Sequence, residues 1–347
     1  MILGVESSCD ESALALFDPG AGLCGEWLHS QLDLHREYGG VVPELASREH
    51  LQKFPLLLTK VLQQEEARSI REIAVTCGPG LAPCLALGIS LAHALGMTLN
   101  VPVRGFNHLR GHAFSAFIDL HEERPDLFHE RLSLHLPHLG LLVSGGNTLL
   151  FKIQEDLCIQ LLAQTVDDAA GEALDKGAKL LGLDYPGGAL LEKHARTGDP
   201  AWHAFPRAFA GRREMRFSFS GLKTSLRYLL EKMTDKELET HFANLCASYQ
   251  EAVVDQLVSK VLQALQIGGL RSLGLSGGVA NNQILRQRFV QLAGEESLPL
   301  FMARPSHSGD NAGMIAFNAF LEKSQANDPE MKKIVPLLPS LKIIQAP

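Results

Sequence analysis

Cysteine is sparse and scattered. The six are Cys9, Cys24, Cys77, Cys84, Cys158 and Cys246, and none stands in a Cys-x-x-Cys pair. That excludes a cysteine zinc cage and gives no disulfide framework, so a reducing compartment is expected. Positive charge is also short. The 347 residues hold 32 Lys and Arg against 39 Asp and Glu, a formal net charge of −7. No global field attracts a polyanion, so any contact with one needs a local basic patch or a basic partner. No apolar run is expected to span a bilayer. The opening residues Met1-Ile2-Leu3-Gly4-Val5 read as a strand, not as a basic and apolar targeting segment. A cytoplasmic protein with no membrane contact is the expectation. What is present is apolar material, 46% of the chain, enough for sizeable cores and for two domains of ordinary size.

Alternating strands and helices fill both halves, which predicts an α/β protein. Ile2 to Glu6 reads as a buried strand, Ser7 to Ser12 as a polar tip, and Ala13 to Phe17 as the returning strand. The pattern recurs: Leu139 to Val143, the tip Ser144-Gly145-Gly146-Asn147, then Thr148 to Ile153. Two such hairpins suggest an internal duplication. Between them come a strand over Ile73–Cys77, a helix over Cys84–Leu95, a strand over Val101–Gly105 and a helix from about His108 to Phe117. The stretch 119–137 mixes proline and charge and reads as a connection. His121, His129, His135 and His138 in and beside it read as solvated. Later, Asp167 is placed as the cap of a helix running to Leu181. A strand at Leu270–Leu275 leads through Ser276-Gly277-Gly278 to a helix from Gln283. That geometry brings backbone amides to a phosphate or nucleoside.

Several residues carry chemistry. His108 and His112 stand at i and i+4 of the expected helix, on one face, either as metal ligands or as core histidines. Asp310, in a Gly-Asp-Asn-Ala-Gly turn, is either a third ligand or a helix cap. Asp10 and Glu11 either stud an ordinary polar tip or sit where a phosphate is cradled. Asp168, Glu172, Asp175 and Lys179 form one helical stripe, either a solvated face or the source of a carboxylate that accepts ribose hydroxyls. The glycines of Tyr185-Pro186-Gly187-Gly188 would let backbone approach the same ligand. Arg207, Arg212, Arg213 and Arg216 lie beside Phe217 and Phe219. They form either a solvated loop or a surface for RNA phosphates and base stacking.

Ordered motifs then carry a resemblance. Glu6 to Glu11, Gly39 to Arg48, Asn107 to His112, Leu142 to Gly146 and Asp167 to Ala173 are among them. So are Phe217 to Thr224, Ser276 to Asn282 and Asp310 to Ala316. Together they resemble the tRNA adenosine threonylcarbamoyltransferase family (TsaD type), once described as O-sialoglycoprotein endopeptidases. The resemblance implies a two-lobed fold of the actin/hexokinase/heat-shock-ATPase (ASKHA) type with duplicated RNase-H-like lobes. Lobe I would take residues 1–118 and 308–340, and lobe II residues 138–307. The implied activity transfers the threonylcarbamoyl group of threonylcarbamoyl-AMP to the N6 amine of the adenosine 3′ of the anticodon. The tRNAs concerned read codons that begin with A. His108, His112 and Asp310 match the family's ligands for one divalent ion, iron or zinc. Leu142, Val143, Ser144, Gly145, Gly146, Asp175, Gly188 and Asn282 match adenylate-binding positions. Asp10 and Glu11 match an acidic pair near the reacting centre. A paralogous subunit of the same fold and a P-loop ATPase are the implied partners. One departure stands out: Asn147 replaces the histidine usual in the second hairpin, and asparagine cannot titrate near neutral pH.

Two other readings stay in view. One is a non-catalytic scaffold for a tRNA-modifying assembly, which retention of His108, His112 and Asp310 argues against. The other is a metalloprotease. His108-Leu109-Arg110-Gly111-His112 lacks the glutamate that serves as general base in His-Glu-x-x-His.

Overall fold

A computed structural model describes residues 1–323 and 334–347. Residues 324–333, part of the segment 308–340 expected in lobe I, lie outside the described residues. The chain forms two compact units, Met1–Leu134 with Ala303–Pro347, and His135–Met302.

The first unit holds a five-stranded sheet. Its strands are β1 (Ile2–Glu6), β2 (Glu11–Asp18), β3 (Gly22–Ser30), β4 (Glu72–Gly78) and β5 (Val103–Asn107), in the order β3-β2-β1-β4-β5. β1 pairs antiparallel with β2 and parallel with β4. The second unit repeats this plan with β6 (His138–Val143), β7 (Thr148–Ile153), β8 (Ile159–Gln164), β9 (Ser272–Ser276) and β10 (Leu300–Met302). Its order is β8-β7-β6-β9-β10, with β6 antiparallel to β7 and parallel to β9. The duplication expected from the two hairpins therefore extends to whole sheets. β3, β8 and β10 were not read from the sequence, because β3 and β8 are half-exposed edges and β10 has three residues.

β1 is buried throughout, as a central strand covered on both faces must be. The helix Ala312–Lys323 lies directly on it. A Cβ at Gly4 would stand 2.2 Å from the Ala312 carbonyl oxygen, so only glycine allows this approach. The helix Ala82–Leu99 departs from expectation. Its length and mean hydropathy of 1.6 suffice to cross a membrane. The apolarity has a local cause: Cys84, Leu85, Gly88, Ile89, Ala92 and Gly96 are buried, with Ile89 and Ala92 in the core that includes Leu3, Val5 and Val75.

The histidines of the 119–138 stretch are not uniformly solvated. His121, on the helix Ile118–Glu123, is fully buried among Phe17, Phe128, Phe317 and Phe320, at ring-centroid distances of 5.0–5.8 Å. His138 is the first residue of β6, buried against Gly274, with Nδ1 2.7 Å from Ser272 Oγ. Burial pushes its imidazole down to about 3. The unfolded chain takes that proton near pH 6.5 and the folded chain refuses it until about pH 3. This stabilising contribution is therefore complete above pH 6.5 and is lost on acidification, at up to about 1.4 kcal/mol per pH unit. Denaturant titrations of His138→Gln should show a flatter loss of stability between pH 6 and pH 4 than the wild type. An identical slope would refute this origin.

Candidate metal centre and adenylate cleft

The first unit gathers a candidate metal-binding triad, His108, His112 and Asp310. Asn107 ends β5 and caps the helix His108–Ser115, its side chain accepting the Leu109 amide at 2.9 Å. Gly111 lets this helix close on the helix Ala312–Lys323, where an added Cβ would meet Ile315 at 3.0 Å and Met314 at 3.2 Å. His108 and His112 project from one face with ring centroids 4.7 Å apart. Asp310 is not a cap, the alternative left open for it. Asn311 does that work, accepting the Met314 amide at 2.8 Å and donating to the Gly309 carbonyl at 2.8 Å. Asp310 is thereby freed to face the histidines. Its Oδ1 lies 2.9 Å from His112 Nε2 and 3.4 Å from His108 Nε2.

One donor atom from each of the three residues lies within 4.8 Å of the others. Ligands about 2.0–2.2 Å from a shared ion stand roughly 3–3.5 Å apart, and the Asp310 distances of 2.9 and 3.4 Å to the two imidazoles match that spacing. Two imidazoles and one carboxylate suit iron or zinc better than magnesium or calcium, and they leave coordination positions open. Burial alone would raise the Asp310 carboxyl, but His108 and His112 outweigh it and hold it well below the carboxylate range. Burial would lower His108. Asp310 and Glu6 outweigh it and hold that imidazole well above its ordinary value.

Glu6 was not singled out from sequence as part of this site. It is wholly buried at the end of β1, with Oε2 3.0 Å from His108 Nδ1. The available signal was a lone carboxylate closing an otherwise apolar strand. Asp10 and Glu11 stand at the tip that follows. Gln31 donates its amide to the Asp10 carbonyl at 3.0 Å, and Ser30 Oγ donates to Glu11 Oε1 at 3.2 Å. Burial, then the charges of Asp310 and Asp10, push the Glu11 carboxyl well above its usual range. Glu11 thus feels the field of the Asp310 carboxylate.

The second unit holds a cleft of about 220 Å³ lined by Gly145, Gly171, Asp175, Gly188, Gly278 and Asn282, among others. Three helix N-termini meet it: Ala170–Leu180, Gly187–Ala195 and Gln283–Glu295. Their dipoles favour an anion such as a phosphate, although the Ala170, Gly188, Gln283 and Leu285 amides already have side-chain partners. The turn over Ser144–Asn147 closes through the Ser144 amide to the Asn147 carbonyl at 2.8 Å. It rests on Gly171, where a Cβ would stand 2.5 Å from the Ser144 carbonyl oxygen. Asn282 caps the third helix through Leu285 N–H at 3.1 Å.

Other expectations need correction. Leu142 and Val143 are fully buried in the core, and the turn beyond them puts Gly145 on the cleft wall. Asp175 is not simply a free ribose acceptor: its Oδ1 already accepts the Gly188 amide at 2.8 Å. Burial pushes this carboxyl up. Asp168 falls outside the helix and, with Glu172, binds Lys176, so the stripe read from sequence is divided. Asp167 caps a different helix, Ser220–Leu230, accepting the Phe219 amide at 2.7 Å and the Ser220 amide at 3.3 Å. Ala170 N–H instead donates to Thr148 Oγ1 at 2.8 Å. Phe217 and Phe219 are buried and cannot stack on bases, because Phe217 bridges to Thr165 at the end of β8. Arg207 is half-buried against Asp255, while Arg212, Arg213 and Arg216 are exposed, Arg216 beside Glu214.

Comparison with known proteins agrees with this geometry. The family described as "TsaD: tRNA N6-adenosine threonylcarbamoyltransferase" matches residues 22–317. A Salinibacter ruber protein of that name is 44% identical, over 91% of this chain and 92% of its own. One from Herminiimonas arsenicoxydans is 41% identical over 96% and 94%. Among solved structures, HypF of T. kodakarensis has a TM-score of 0.57 at 14% identity, covering 92% of this chain and 47% of its own. Component A of the Acidaminococcus fermentans (R)-2-hydroxyglutaryl-CoA dehydratase has a TM-score of 0.52 at 14% identity, over 93% and 98%. These structures carry the fold alone, the two-lobed ASKHA type, while the relatives and the family match carry more. The chain belongs to the TsaD-type tRNA N6-adenosine threonylcarbamoyltransferase family.

Proposed function

We propose that this chain transfers the threonylcarbamoyl group of threonylcarbamoyl-AMP to the N6 amine of the adenosine 3′ of the anticodon, in tRNAs reading codons that begin with A. The observation that carries the reading is the convergence of His108, His112 and Asp310, in a chain whose family match spans residues 22–317. A scaffold without catalysis is not favoured, since the triad is geometrically intact. His108, His112 and Asp310 would hold the ion, iron first and zinc second. When bound, it supplies a Lewis-acidic template for the threonyl carboxylate or the carbamoyl oxygen.

The chemistry asks the protein mainly for positioning, because the carbamoyl–phosphate anhydride is already activated. The N6 lone pair forms the new C–N bond, the carbon–oxygen bond to phosphate breaks, and AMP leaves with that electron pair. One N6 proton is released. Gly145, Asp175, Gly188 and Asn282 would cradle the adenylate, with Ser144 and Gly146 shaping the turn and Leu142 and Val143 anchoring it from the core. The three helix N-termini would stabilise charge on the departing phosphate. Asp10 and Glu11 would orient the reacting groups beside the ion. The target base must leave its stack, which an anticodon loop permits at low cost.

We place the reaction in the cytoplasm, with a paralogous subunit and a P-loop ATPase as partners. Arg212 and Arg213, exposed in the basic stretch, would contact tRNA. Arg212→Glu with Arg213→Glu should weaken tRNA binding and lower the salt slope by roughly 0.7–0.9 per lost phosphate contact. An unchanged slope and affinity would place the tRNA surface elsewhere. The reading itself is tested by reconstitution: protein, partners, tRNA and threonylcarbamoyl-AMP, followed by nucleoside mass spectrometry. Threonylcarbamoyladenosine is expected at a single position. Hydrolysis of the adenylate with unmodified tRNA would refute it.

A further inference from the structure

We propose that Glu6 is a positioning residue for His108, fixing the imidazole with its proton on Nδ1 and turning Nε2 toward the ion. This rests on the reading of His108, His112 and Asp310 as ligands. Glu6 closes a strand whose other residues are Ile2, Leu3, Gly4 and Val5, and it is fully buried. A carboxylate in such a place is costly unless its oxygens are satisfied. Here they are. Oε1 accepts the Ser8 amide at 2.5 Å, and Oε2 accepts Thr76 Oγ1–H at 2.5 Å. Oε2 also lies 3.0 Å from His108 Nδ1. An ionised carboxylate can only accept, so this last contact requires the proton on Nδ1. Nε2, the nitrogen 3.4 Å from Asp310 Oδ1, is then the one that would give up its proton to take the ion.

His112 is built differently. Its Nε2 faces Asp310 at 2.9 Å, but its buried Nδ1 has no hydrogen-bond partner among the described residues. The two histidines are therefore unequal. His108 is oriented by a carboxylate on Nδ1, which strengthens it as a donor, while the Nδ1 of His112 has no such support among the described residues. Glu6 and Asp310 together would bring two negative charges to a dication in a buried site.

The test uses Zn(II) alone, titrated against a chromophoric chelator into wild type, Glu6→Gln, Thr76→Val and Asp310→Ala. Long-range ¹⁵N–¹H spectra of the histidines accompany it. Glu6→Gln should weaken Zn(II) binding by roughly 10- to 100-fold. Thr76→Val, which removes one donor from the same oxygen, should weaken it less. The wild-type spectra should show His108 protonated on Nδ1 and zinc-bound through Nε2. Should Glu6→Gln fail to fold, those spectra decide alone. Unchanged affinity in folded Glu6→Gln, or His108 bound through Nδ1, overturns the inference. If zinc is still lost in Asp310→Ala, the ligand reading survives that failure. Wild type that binds no Zn(II) overturns both.

Discussion

Replacing Asp310 by alanine is expected to give a folded protein that retains little metal and transfers threonylcarbamoyl on the order of 10³-fold more slowly, about 4 kcal/mol of transition-state stabilisation. The fold should survive because the backbone around Asp310 is held by other residues. Asn311 caps the helix that follows, and Glu26 accepts the Gly313 amide at 2.9 Å. What is lost is the oxygen that both imidazoles face. His108→Ala and His112→Ala should act in the same direction. His108 should cost more metal affinity, since it alone carries an anchored Nδ1. Elemental analysis alongside circular dichroism checks the prediction. Full metal occupancy in a folded His108→Ala/His112→Ala double variant would sink the site.

Gly188→Val is expected to abolish adenylate binding, a loss of 100-fold or more on the scale of about 3 kcal/mol, while leaving tRNA affinity unchanged. A Cβ at Gly188 would meet Leu174 Cβ at 3.5 Å and Asp175 Oδ1 at 3.6 Å, which is ordinary contact. The helix therefore accepts a side chain, and the valine methyls extend into the cleft that Gly188 lines. Asp175→Asn is a gentler probe. Asparagine can still accept the Gly188 amide, so the helix start is kept and only the charge is removed. Loss of a charged acceptor costs about 1.5–3 kcal/mol, roughly 10- to 100-fold in adenylate affinity. Calorimetry with a non-hydrolysable adenylate separates the two variants. Wild-type affinity in both would move the adenylate out of this cleft.

Much of this was legible because hairpins, glycine turns and the His108/His112 spacing are local signals. Short apolar runs either side of small polar tips found β1, β2, β6 and β7, and the i, i+4 rule put both imidazoles on one helix face. The failures are tertiary. Asp167 has the right residue type and place to cap the next helix, yet it reaches across to Phe219 and Ser220 some fifty residues on. Phe217 and Phe219 sit among arginines in sequence, but β8 draws them into the core. Asp310 could be read as a ligand or as a cap, and only the backbone path gives the cap to Asn311. The contact of Glu6 with His108 joins residues 102 apart, which no spacing rule can reach.

The most direct measurement is mass spectrometry of tRNA nucleosides from cells depleted of this protein and supplied with wild type or Asp310→Ala. Depletion should remove threonylcarbamoyladenosine from tRNAs reading codons that begin with A. Wild type should restore it, and Asp310→Ala, though folded and equally abundant, should not. Full restoration by Asp310→Ala, or undiminished modification on depletion, would contradict a metal-dependent threonylcarbamoyltransferase.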